Sequence, residues 1–379
     1  MQDEMNQERP MPDHNAWPAF TVPWDDNTSG PTDMSHLLDK PAGAKGFIQV
    51  VDGHLATGNG KRWRIWGQNL TGNSPLPNRE MAPIIARRLA KFGINCIRLH
   101  HCDHRWPKGF LKRASDGKPA PDIIVDGVAG RDEESTRALD PEAMARLDWF
   151  VACCKRNGVY IDLNLNVSRP FSVADGVKQV DWIGFGKGMT YFDEQLIFLQ
   201  KEYAAQLLDH INPFTGTRYA EEPAIAIIEL INENILTRMW TAGMLRGEQT
   251  EPAGSWGDIP SSYAKDLDKR WNDWLAGKYD NRETLSTAWN SDLKDYEDPR
   301  QGSVRRLVPE DFETASDQRF RDEATFYLDI ERDYFADMES YLRGEVGTRQ
   351  LILGTSDWNH RWSGFPSLET NAELDLIDG

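Results

Sequence analysis

A chain of 379 residues, 39% of them hydrophobic, can bury a sizeable core, enough for one large barrel or two ordinary domains. Its formal net charge of −17, from 60 acidic and 43 basic residues, argues against nucleic acid or an anionic membrane surface as a partner and leaves a neutral ligand indifferent. No stretch has the length and apolarity of a transmembrane helix, and the opening MQDEMNQERPMPDHN has no apolar signal-peptide core. A cytoplasmic location is therefore expected, or a secreted or periplasmic one if the native N-terminus is missing.

The four cysteines, Cys96, Cys102, Cys153 and Cys154, lack CxxC spacing and read as reduced core or near-core thiols. Most of the 14 tryptophans are expected in the core or on helix faces, although a flat indole also stacks well on a sugar ring.

Residues 1–41 are rich in Pro, Asp and Asn and read as an irregular arm lying on a domain that spans residues 42–379. Residues 46–66 alternate, with turn signals at Asp52-Gly53 and Asn59-Gly60, which predicts a hairpin running into a first strand over 62–70. Asn78 can cap a helix in which Met81, Ile84, Ile85 and Leu89 recur at helical spacing until Gly93. A second strand follows over 94–101, then a charged, Gly-rich insertion loop over 114–137. Asp140-Pro141 starts a helix that Asn157-Gly158 ends, and VYIDLNLN (159–166) is the third strand. Strand, helix, strand in this order argues right-handed βαβ crossovers.

A further helix is predicted over 193–210. The run AIAIIELINEN (224–234) then reads as a buried parallel strand, nearly continuously apolar and entered after Pro223. Residues 237–261 read as an irregular loop. Tyr263, Leu267, Trp271, Trp274 and Leu275 mark an amphipathic helix, and a long helix runs over 316–343. No strand is predicted between strands four and five, so more than a hundred residues form an insertion expected to wall a site. QLILGTSD (350–357) is strand five and LDLIDG (374–379) begins strand six. The fold expected is α/β, a (β/α)8 TIM barrel of which this chain supplies about six strands, and hence a C-terminally truncated one.

In such a barrel, chemistry sits at the carboxyl ends of the strands, which singles out Glu233. A carboxyl group in a partly dry mouth can hold a proton near neutral pH and protonate a glycosidic oxygen while a second carboxylate works on the other side of the sugar. Asn232 is placed to hydrogen-bond a hydroxyl beside the reacting carbon. Arg98 and His100 share one face of strand two and point to the same mouth. Glu229 breaks the apolar run deeper in the barrel, where pairing with Arg98 makes its burial tolerable. The alternative reading of Asn232, Glu233 and Asn234 is a solvated loop.

The Asn-Glu pair, the strand-two Arg and the Trp after a late strand resemble glycoside hydrolases of clan A, close to family 5. DMSHLLDKPAGAKGF, KRWRIWGQNL, CIRLHHCDH, LNLNVSRP, INPFTGTRYAEEPAIAIIELINEN and RWNDWLAGKYDN are similar to a group of large bacterial family 5-like hydrolases or cellulases. The resemblance covers nearly the whole chain after the arm. It implies a retaining mechanism with Glu233 as acid/base, a cellulase- or mannanase-like activity on oligo- or polysaccharide, and a nucleophilic Glu ending strand seven. No residue of this chain takes the nucleophile's role by motif, so the isolated chain is expected to be impaired; Asp375 and Asp378 are the nearest remaining acids on a strand.

Further candidate contacts to carbohydrate are His100, His101, Asn69, Asn166 and Trp358. Each has a structural alternative, loop capping for Asn69 and Asn166 and packing under the 362–365 loop for Trp358. His100, His101, Asp103 and His104 could instead ligate a metal, but neighbours on a strand face opposite ways, so no metal and no cofactor is expected. A non-catalytic carbohydrate-binding barrel remains the competing reading. Sugar identity, linkage, exo or endo action and oligomeric state are not encoded in any motif here.

Overall fold

The computed structural model describes residues 23–104, 135–250, 252, 257–356 and 364–378. Expectations that fall on residues 1–22, on most of the charged loop and on Trp358 lie outside the described residues. Two short strands, β1 (Gln49–Val51) and β2 (His54–Ala56), pair antiparallel through Asp52 and Gly53, both left-handed as a two-residue hairpin turn requires. The chain then runs β3 (Gly67–Leu70), α1 (Met81–Lys91), β4 (Cys96–Leu99), α2 (Pro141–Asn157), β5 (Tyr160–Asn164) and α3 (Glu194–Asp209). A second small hairpin, β6 (Ile211–Asn212) and β7 (Thr217–Arg218), leads to β8 (Ile225–Glu229). The insertion carries α4 (Leu236–Thr241), α5 (Ser261–Lys278), α6 (Arg282–Ala288) and α7 (Asp317–Tyr341), before β9 (Leu351–Ser356), α8 (Gly364–Asn371) and β10 (Leu376–Asp378).

The expected helix starts follow from side-chain capping. Asp140 accepts from the Glu142 and Ala143 N–H groups, Asp193 from Leu196 and Ser316 from Arg319, each satisfying a donor that the first helical turn leaves orphaned. Asn78 accepts from the Met81 N–H at 2.8 Å. The described part of the arm lies along α1: Arg88 donates to the Pro23 carbonyl at 2.6 Å, Lys91 pairs with Asp26, and the Met34 N–H reaches the Lys91 carbonyl at 2.9 Å. None of the four cysteines is in a disulfide. No helix among the described residues is long and apolar enough to cross a membrane.

Six strands form one parallel sheet in the order β10-β9-β8-β5-β4-β3. Sheet order equals chain order, without the reversal that defines a doubly wound sheet, and the curled sheet is an incomplete (β/α)8 barrel. Ile97, Leu99, Ile161, Leu163, Ile228 and Ile352 line one face and are fully or almost fully buried against α1, α2 and α3. Burying each such side chain stabilises the fold by about 1.5–3 kcal/mol relative to exposure. At the bottom of the opposite, concave face, Cys96, Tyr160, Ile227, Leu351 and Leu353 pack on Ala42 and Ile48 beside the first hairpin.

Several expected elements have different limits. The first barrel strand begins at Gly67 rather than 62, because Arg62 bridges back to Ala56 and belongs with the hairpin. Strand four ends at Glu229 rather than at residue 234, since beyond it side chains compete for the backbone groups. The loop expected over 237–261 opens with α4, and the sequence reading missed the β6–β7 hairpin, α6 and α8. Among the described residues of the insertion there is no strand, as expected. Its aromatic core stacks Trp271 on Trp274 and Trp289 at centroid distances of 5.6 and 6.2 Å.

Candidate active site

Above the apolar bottom of the concave face lies a charged layer. Register places Arg98 opposite Asp162, and Asn164 opposite Glu229. The Arg98 guanidinium forks onto Glu229, with Nε to Oε2 at 2.6 Å and Nη2 to Oε1 at 2.7 Å. Burial works against the Arg98 charge, but its bonds to Glu229 more than restore it. Burial pushes the Glu229 carboxyl upward despite the opposing pull of Arg98.

Asp162 is worse placed, since its Oδ1 is buried without a hydrogen-bond partner among the described residues. Burial, and then the Glu229 charge, push its carboxyl well above the ordinary range. A carboxyl raised in the folded state binds a proton more tightly there than in the unfolded chain, so its contribution to stability declines as pH rises through the interval above 3.8. Asp162→Asn is accordingly expected to stabilise the protein at pH 7, with the gain shrinking as pH falls toward 3.8. Thermal melts at the two pH values check this, and an unchanged or lower melting temperature at pH 7 would contradict it.

Arg98 also reaches over the layer to the strand end, where its Nη2 donates to Asn232 Oδ1 at 2.8 Å. Ser356 Oγ, ending β9, donates to the same oxygen at 3.2 Å. With Oδ1 taken by two donors, Nδ2 is the remaining donor of the buried Asn232 amide. The Asn232 N–H binds the Asn166 carbonyl at 2.8 Å, and Asn166 Nδ2 returns a bond to the Leu230 carbonyl at 2.9 Å. Asn166 is therefore buried as a tie between the ends of β5 and β8, in keeping with its structural alternative.

Glu233 follows in a left-handed conformation, φ 45°, which a residue with a Cβ adopts only when its surroundings hold it there. The strand alternation that would have put Glu229 and Glu233 on one face does not extend this far. Glu233 is half-buried, and no described residue hydrogen-bonds its carboxylate. Buried Lys187 donates from Nζ to the carbonyl of Asn232. Burial draws the Lys187 ammonium down to about 8, against the attraction of Glu233 and Asp103.

His100 is buried just past β4, with Nδ1 3.4 Å from Asn164 Nδ2. His101 is left-handed, φ 63°, so the two rings meet edge to face at 4.2 Å instead of facing opposite ways as strand neighbours would. Its Nδ1 accepts from the Gly72 N–H at 3.1 Å, which leaves the proton of the neutral ring on Nε2. Burial lowers His100 to about 2 and His101 to about 4, with neighbouring cations adding to the effect, so both rings are neutral at ordinary pH. Asp103 accepts from the Val167 N–H at 2.8 Å and the Ser168 N–H at 3.0 Å, and His104 Nδ1 faces the Ser168 carbonyl at 3.0 Å. These groups bolt the loops after β4 and β5 together. Asn69 stands beside Arg98 in register but is exposed on the edge strand. Trp358 lies outside the described residues.

The sequence reading missed the groups behind Glu233. Asn234 accepts from the Gly188 N–H at 2.8 Å and donates to Thr190 Oγ1 at 2.8 Å, while Tyr191 Oη donates to the Asn234 carbonyl. The insertion braces this region from outside: Glu331 of α7 accepts from the Leu236 N–H at 2.6 Å, and Tyr334 packs edge-on against Tyr191 at 4.9 Å. A lysine between two glycines, FGKG at 185–188, was the available signal.

No family's sequence profile matches the chain, and no curated protein does. Among solved structures the chain is similar to an endo-1,4-beta-mannanase from Rhizomucor miehei, at 13% identity over 83% of this chain and 90% of that one, with a TM-score of 0.35. It is also similar to an endo-beta-1,4-mannanase from Thermotoga petrophila, at 15% identity over 79% of this chain and 62% of that one, TM-score 0.32. An agarase matches at 14% identity over 89% of this chain and 49% of that one, TM-score 0.45. At this level of likeness neither fold nor chemistry is inferred from them.

Proposed function

We propose that the native gene product carrying this chain is a retaining β-glycoside hydrolase acting on oligo- or polysaccharide, with Glu233 as general acid/base. The observation that carries this reading is a half-buried carboxylate at the mouth of a chain-ordered parallel sheet, next in the chain to an Asn232 amide that Arg98 and Ser356 fix through Oδ1. In the first step Glu233 gives its proton to the glycosidic oxygen as the bond to the anomeric carbon breaks and a second carboxylate bonds to that carbon. In the second step Glu233 takes a proton from water, which displaces the enzyme carboxylate.

The second carboxylate is not assigned to any described residue. Glu229 is committed to Arg98, and Asp375 binds Arg343 and the Ile352 N–H. The 379-residue chain by itself is accordingly proposed to be impaired. Asp378, ending β10, adds its charge to the layer of Arg98, Asp162 and Glu229 without such a bond among the described residues, and the second reading is a carbohydrate-binding barrel without turnover.

The test is a screen of the native product and of the 379-residue chain against β-linked glucans, mannans and galactosides, with the first-formed anomer followed by NMR. Initial release of the β-anomer by the native product supports the proposal, and initial α-anomer overturns the retaining mechanism. Binding without release of sugar by the native product supports the second reading.

A further inference from the structure

We propose that Lys187 is a positioning residue for Glu233, holding its backbone from the inside of the barrel mouth and placing a cation where Glu233 acquires negative charge. The proposal rests on the acid/base reading of Glu233 and adds to it a group that neither the strand series nor the strand ends contain.

The loop after β5 is shaped to deliver this side chain. Gly186 and Gly188 on either side of Lys187 are both left-handed, φ 72° and 79°. A Cβ on Gly188 would stand 2.7 Å from Met239 Sδ, and one on Gly186 would stand 3.1 Å from Thr190 Cγ2 and 3.3 Å from the Phe171 ring. Side chains are thus disfavoured at both positions twice over, by conformation and by space. Between them Lys187 turns inward, 5% exposed, and its Nζ binds the Asn232 carbonyl.

That carbonyl belongs to the peptide leading into Glu233. The residue after Glu233 is held by the same loop, through Tyr191 Oη on the Asn234 carbonyl and through Gly188 and Thr190 on the Asn234 side chain, while its own N–H donates to Thr355 Oγ1 of β9 at 3.2 Å. The left-handed Glu233 is therefore flanked on both sides by residues that this loop holds, through Lys187, Gly188, Thr190 and Tyr191. A group held this way is pre-organised and has no reorientation to make during reaction.

The charge matters as well as the bond. The ionisable groups that bear on Lys187 are Glu233 and Glu229 from β8 and its end, Asp103 from the loop after β4, and Arg98, His100 and His101 along β4 and its end. Among the described residues Glu233 is the strongest of the attractions. As Glu233 hands its proton to the leaving oxygen it gains a full negative charge, and the buried ammonium of Lys187 stabilises that charge.

The decisive measurement needs no substrate. In protein labelled with 13C at the lysine ε-carbon, the signal absent from Lys187→Arg is expected to titrate near pH 8. In Glu233→Gln the same signal is expected to titrate at lower pH, because its main attraction is gone. A Lys187 signal that titrates with the ordinary lysines, or that does not respond to Glu233→Gln, overturns the proposal whether or not the protein is a glycosidase. If the native product hydrolyses glycosides, Lys187→Met is expected to lower kcat/KM about tenfold or more on substrates with poor leaving groups and to spare kcat/KM on dinitrophenyl glycosides, whose departure needs no proton. An equal loss on both substrate classes would show a structural role only and overturn it.

Discussion

Glu233→Gln in the native gene product is expected to lower turnover of unactivated β-glycosides by about 10²- to 10⁴-fold, the usual contribution of a positioned proton donor. The amide has nearly the shape of the carboxyl group but no acidic proton to give and no basic oxygen with which to activate water. Because Glu233 is only half-buried, the loss of turnover is expected to exceed by far any loss of stability from removing the counter-charge of Lys187. Steady-state kinetics beside a thermal melt separate the two effects. Retained turnover, or a loss of turnover matched by unfolding, would count against the assigned role.

Arg98→Met is expected to have the largest effect on stability, a loss of about 3–5 kcal/mol at neutral pH. The side chain is 16% exposed and its partner Glu229 is fully buried, so the change strands one carboxylate beneath the site while Asp162 already lacks a partner for Oδ1. The sign of the pH dependence comes from the same chemistry. Burial already raises the Glu229 carboxyl, and without Arg98 the group holds its proton to still higher pH, so the deficit grows as pH rises and shrinks toward pH 4. Chemical denaturation at pH 4 and pH 7 reads it directly. A deficit independent of pH would mean that lost packing, not lost charge compensation, explains the change. Arg98→Met combined with Glu229→Leu is expected to recover most of the stability, since it removes both members of the pair.

Much of this architecture is legible in the sequence because it rests on local rules. Buried parallel strands write continuous Val, Ile and Leu runs, Asp140 and Asp193 announce helix starts, and a lone Glu229 inside an apolar run demands a cationic partner, which Arg98 supplies. The backbone just past the end of a strand is much less legible. His101 and Glu233 both leave the strand in left-handed conformations, and no propensity places an ordinary side chain there; long-range bonds from Gly72 and from the 186–191 loop do. Period-two alternation therefore set the faces of Arg98 and Glu229 correctly and failed at His101 and Glu233. Asn166 reads as a substrate contact or a loop cap, and no local pattern announces its bond to the Leu230 carbonyl, which ties the ends of β5 and β8. Lys187 was missed for the same reason: its flanking glycines mark an unusual loop, but 45 residues separate it from Asn232 and no pattern announces that contact.

The most direct test of the acid/base assignment is chemical rescue of Glu233→Ala in the native gene product by sodium azide, with an activated aryl β-glycoside as substrate. With the acid/base carboxylate gone, azide is expected to intercept the glycosyl-enzyme, restore turnover and yield a β-glycosyl azide. Hydrolysis by Glu233→Ala at the original rate without azide, or an α-glycosyl azide as the product, would contradict it.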